Sequence, residues 1–184
     1  MDNVWWKVLA FLLSAVLLFL VPLMNILERQ IDIAYNVVFA ECNRFADACR
    51  DTGYITPNMF KEFTDRINST GNTYDIKLSH VHRTVNPVYR QEGTSLIFTG
   101  RYEVNHIAVD ETEIMGVLFP ENSPLSVLDP ARRYEMSMGD LFFVEVKNRG
   151  KTMAAALRGM ILFIDSESPD IFVRAGGMVR NEAY

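Results

Sequence analysis

Residues 8–27 read VLAFLLSAVLLFLVPLMNIL, twenty positions without a charged side chain. As an α-helix this run is about 30 Å long, the thickness of one bilayer core. Ser14, Pro22 and Asn25 are its only notable interruptions, and Glu28 and Arg29 close it. On its N-terminal flank, Trp5 and Trp6 followed by Lys7 stand where an interfacial aromatic belt and a snorkelling cation belong. A cleaved secretory signal competes with this reading. The length of the run, the single lysine before it and the lack of a prompt A-x-A site favour an uncleaved anchor. Residues 1–27 are therefore expected to be a membrane anchor with the lipid bilayer as partner. Lys7 and the α-amino group favour an inside N-terminus, against Arg29 and Arg44 on the other flank. The expected product is a single-pass protein of the cell membrane with its C-terminal domain extracytoplasmic.

Moving outward from the anchor, the helix pattern does not stop. From Leu27 to Arg50 there is neither Gly nor Pro. Ile31, Tyr35, Val38, Cys42, Phe45 and Cys49 recur at alternating steps of four and three, the spacing of a helix-packing seam. Glu28, Arg29, Asp32, Asn36, Asn43, Asp47 and Arg50 take the opposite face. Residues 28–53 thus read as an amphipathic stalk, whose stripe packs on the chain's own domain or also on other subunits. Cys42 and Cys49 lie two turns apart, about 10 Å along the axis, too far to bridge within one helix. Buried free thiols are the expectation.

Residues 54–184 read as an α+β head, expected to fold alone. Gly53 suits the position just past a helix end, and Thr56-Pro57 the cap and first position of the next. Phe60, Phe63 and Ile67 form that helix's inner face, and Gly71 ends it. The period then falls to two: Tyr74, Ile76 and Leu78 alternate with Asp75, Lys77 and Ser79, a half-buried strand. Ser95–Val109 reads as one or two strands, Asp110–Phe119 as a less clear continuation of β structure, and Leu141–Val146 as another strand. Pro120 to Arg133 is the longest loop, Thr152–Phe163 a short helix, Asp170–Val173 a last strand, and Gly176-Gly177 a turn. The fold class is α+β, a long N-terminal helix followed by a mainly antiparallel sheet with short helices.

Composition excludes some functions. With 18 basic and 23 acidic side chains and no Lys/Arg cluster, the chain lacks the footprint of a nucleic-acid binder. Gly150-Lys151-Thr152 opens a helix after a strand, but Glu145 stands where a phosphate loop needs glycine, and a strand-to-helix turn capped by Thr152 is the simpler reading. His80 and His82 form an H-x-H pair facing one side of a strand. With His106 they could make a three-histidine metal set, although histidines at a strand end are ordinarily half-exposed. No Ser/His/Asp or Cys/His grouping has a recognisable local frame. The expectation is a non-enzyme without cofactor or metal.

An apolar helix containing Pro22, its seamless amphipathic extension and the α+β head after it resemble type IV pilin-like proteins. The likeness is nearest to the minor pilins and pseudopilins of tight-adherence pilus systems. It covers the first 50 or so residues. The chain has Leu12 and Leu13 near the fifth position of the apolar run, where an acidic residue is the family's habit. The resemblance implies a structural subunit of a pilus or secretion apparatus, whose partners are other pilin-like subunits or assembly-platform proteins reached through the N-terminal helix. A membrane-tethered ligand- or partner-binding domain and a membrane-anchored metallohydrolase using His80, His82 and His106 are the rivals.

Overall fold

The structure is a computed structural model that describes residues 2–121, 126, 128–162 and 171–181. One helix, α1, runs from Asp2 to Thr52. Pro22 lies within it and removes one intrahelical donor, yet the helix continues. It is long and apolar enough to cross a membrane, and none of its most apolar stretch is buried. Asn25 meets its polar need locally, its amide donating to the Val21 carbonyl at 3.0 Å. Gly53 closes α1 as expected, with a positive φ of 74° and its N–H donating to the Cys49 carbonyl at 2.9 Å.

Two short strands, β1 (Tyr54–Ile55) and β4 (Tyr134–Glu135), pair antiparallel. Between them come α2 (Pro57–Asn68), β2 (Tyr74–Glu92), β3 (Ser95–Val109), α3 (Glu111–Leu118) and a 3-10 turn at Pro130–Arg132. After β4 follow β5 (Leu141–Asn148), α4 (Met153–Leu162) and β6 (Phe172–Met178). The main sheet is fully antiparallel in the order β3-β2-β5-β6. The α+β layout read from the sequence is the observed one.

The outer half of α1 lies against β5 and β6 and supplies much of the head's core. Ala34, Val38, Cys42, Phe45, Ala46 and Cys49 share one buried cluster with Ile67, Leu78, Phe142, Val144, Val146 and Val173. The Phe45 ring meets Phe63 of α2 in a stacked contact and Phe142 of β5 edge-on. On β5 the even positions Phe142, Val144, Val146 and Asn148 face inward, as a half-buried strand requires. The core therefore runs across residue 53, and the stalk is a structural layer of the head. A second tie closes the helix end: the Arg50 guanidinium donates to the Met178 carbonyl at 2.9 Å and pairs with Asp47 at 2.8 Å.

Several expectations are corrected. Asp110–Phe119 is helical at Glu111–Leu118, because Glu111 and Glu113 favour a helix N-terminus and Ile114 and Leu118, four apart, bury together. Gly176-Gly177 is part of β6, not a turn. A side chain on Gly176, at φ 149°, would start 2.1 Å from the Phe142 carbonyl oxygen, so the neighbouring strand approaches only because none is present. The first strand of the sheet extends well beyond Ser79 and meets β3 in a hairpin turning at Gly93-Thr94. The expected ends of the α4 helix at Phe163 and of the last strand at Asp170, and part of the Pro120–Arg133 loop, lie outside the described residues.

Candidate functional site

The seam residues split between two environments. Val38, Cys42, Phe45 and Cys49 are buried against the chain's own sheet, Ile31 is half-buried, and Tyr35 is exposed. Tyr35 stacks on Phe39, also exposed, and Ile33 is exposed elsewhere on the helix. Trp5 and Trp6 are exposed at the start of α1. Both cysteines are free and buried, as expected. Burial pushes the Cys42 thiol up to about 12, with Glu41 adding to the effect, and raises Cys49 further. Thr152 takes the capping role read from the sequence, its Oγ1 accepting from the Ala155 N–H at 3.2 Å.

A dense polar cluster lies on the core-facing side of β2. His80 follows Ile76 and Leu78 on the inward face, and it is paired in register with Phe142 of β5 and Val109 of β3. It is 4% exposed rather than lying half-open at a strand end. What makes a histidine tolerable there is Asp140, 1% exposed, in the turn just before β5. His80 Nε2 lies 2.9 Å from Asp140 Oδ2, and His82 Nδ1 lies 3.0 Å from the same oxygen. The backbone N–H groups of Arg83 and Ser137 donate to Asp140 at 2.8 and 2.9 Å. Tyr134 of β4 closes the far side, with its hydroxyl 2.7 Å from His80 Nδ1.

These contacts set the protonation states. Burial works to raise the Asp140 carboxyl, but the donors from Arg83, His82, Ser137 and His80 outweigh it and hold the group below the usual carboxylate range. Burial raises the Tyr134 phenol to about 12, with the Glu113 and Asp140 charges adding to it, so it stays a hydroxyl. The geometry lets His80 donate from Nε2 to Asp140 and accept from Tyr134 at Nδ1, and lets His82 donate from Nδ1 to Asp140.

His106 does not join this group. It pairs with Arg83, and cross-strand partners share a face, so it sits on the side of the sheet opposite His80 and His82. The three-histidine set is thereby replaced by His80, His82 and Asp140. Asp140 and Tyr134 are not legible as partners of His80 in the sequence, because they lie 60 and 54 residues from it. Only the β2–β5 register, Val81 opposite Leu141, would have brought Asp140 beside His82.

No protein-family model matches the chain, and neither a curated protein nor a solved structure shows significant similarity to it.

Proposed function

We propose that the chain is a pilin-like structural subunit, anchored in the cell membrane by the first half of α1 with its head on the extracytoplasmic side. One observation carries the reading: a single unbroken helix has two unlike halves. None of residues 4–33 is buried, and this half is apolar over the length of a bilayer. The other half is locked into the head's core. A subunit of this form can pass between lipid and a bundle of like helices without disturbing its head, because the charge-free run of residues 8–27 contributes nothing to the buried core cluster. Ile33, Tyr35 and Phe39 extend the exposed apolar surface beyond the anchor, where neighbours would meet first. Val38, Cys42, Phe45 and Cys49 are already enclosed, so lateral packing falls to the exposed residues. The first test is fractionation. The full-length chain is expected to stay with membranes through alkaline carbonate extraction, and its recovery in the soluble fraction would refute the anchor.

A membrane-tethered binding domain is the second reading, favoured by the β2–β3 hairpin. Its outer part is exposed on both faces, and Tyr89, Phe98 and Tyr102 form an aromatic row with neighbouring centroids 5.8 and 5.3 Å apart. A head that is monomeric at high concentration and captures a partner through this row would support it over the subunit reading.

A further inference from the structure

We infer that His80, His82 and Asp140 form a binding site for one divalent transition-metal ion. Two imidazole nitrogens and a carboxylate oxygen are a donor set suited to zinc and its neighbours. The three donor atoms lie within 4.8 Å of one another. The two nitrogen–oxygen separations at Asp140 Oδ2 are 2.9 and 3.0 Å. Tetrahedral zinc with bonds of about 2.0–2.1 Å holds its ligand atoms roughly 3.3 Å apart. Along those two edges an ion needs shifts of only a few tenths of an ångström.

The surroundings hold His80 and Asp140 independently of the ion. Metal-binding histidines are oriented by a hydrogen bond from the other ring nitrogen, and Tyr134 offers its oxygen to His80 Nδ1 for that purpose. Asp140 is fixed by the Arg83 and Ser137 backbone N–H groups, neither of which competes for the metal. The side chain of His82, 37% exposed, gives the ion its way in and leaves a fourth position for water.

The protons balance. Before the ion binds, one hydrogen bridges each imidazole to Asp140. Afterwards each ring turns its lone pair to the ion and carries its proton on the far nitrogen. Nδ1 of His80 then donates to Tyr134, and Nε2 of His82 points outward. Each ring keeps one N–H through the exchange, and Asp140 supplies the negative charge.

Cobalt titration of the untagged full-length chain in detergent tests this. Co²⁺ is expected to give saturable visible bands of four-coordinate intensity at one ion per chain, abolished by excess Zn²⁺. His82→Ala should lose the bands and still unfold cooperatively, at a melting temperature lowered by the loss of its hydrogen bond to Asp140. His82→Gln, closer in volume, replaces it should the alanine variant not fold. Tyr134→Phe should weaken Co²⁺ by about 10- to 100-fold, the usual effect of removing such an orienting partner. Absence of saturable bands in the wild type overturns the inference. So does an unchanged titration in the His82 variant, which would place the cobalt elsewhere.

Discussion

The Phe45 ring of the long helix lies parallel to the Phe63 ring of α2, with centroids 4.6 Å apart and planes inclined by 9°. One phenyl belongs to the stalk and the other to the head, so the contact joins the two into one core. Phe45→Ala should destabilise the head by about 3–5 kcal/mol, the range for removing a buried aromatic ring. Val38→Asp should do so by several kcal/mol, since Val38 is fully buried and an ionised carboxylate there has no partner. Denaturant unfolding of a detergent-solubilised chain measures both. By the same logic a fragment beginning at Tyr54 should lose cooperative unfolding, and one beginning at Glu28 should keep it.

The two thiols report on that core. Buried and raised far above neutral, Cys42 and Cys49 should resist a thiol reagent at pH 8 and react only as fast as the head opens. Labelling as rapid as that of a free cysteine would mean that the helix detaches from the sheet in solution.

Gly176 and Gly93 separate two effects of glycine. Both have positive φ, but a side chain on Gly93 meets open space, whereas one on Gly176 meets the β5 backbone. Gly93→Ala should lower stability by about 1 kcal/mol from backbone conformation alone. Gly176→Ala should lower it well beyond that, because β6 must move off Phe142. Melting temperatures of the two variants give the comparison.

Asp140 should make the metal-free head sensitive to acid. Its folded pKa lies below the unfolded value of about 3.9, so its contribution is fully present above that pH. The contribution is lost as the pH falls through the folded value. Asp140→Asn should flatten the decline in stability below about pH 4 and lower stability at pH 7 by about 1–3 kcal/mol through mispaired donors. Urea unfolding across pH 3–7 reads both.

Local patterns reach as far as local physics does. The alternation at Tyr74, Ile76 and Leu78 and the Thr56-Pro57 start of α2 were legible because one strand face and one helix end determine them. The Asp110–Phe119 segment misled because a short apolar run with Ile114 and Val117 suits either period, and burial of Ile114 with Leu118 decides for helix. Gly176-Gly177 looked like a turn since only the approach of a neighbouring strand reveals why a side chain is forbidden there. The pairing of His80 with Asp140 depends on strand register across 60 residues, and no nearby residue records it. The seam showed its period in the sequence, but not whether its occupant was the chain's own sheet or a neighbour.

The most direct test of the subunit reading is cysteine cross-linking along α1 in intact cells. Phe11→Cys and Leu18→Cys lie on the exposed apolar half, and Phe39→Cys on the stalk's outer surface. The native thiols at Cys42 and Cys49 are enclosed and serve as silent internal controls. Oxidation is expected to produce covalent dimers from the three exposed variants and none from the native chain. Dimers absent from all three, with the protein present in the membrane at its native level, would contradict the subunit reading and leave a solitary tethered head.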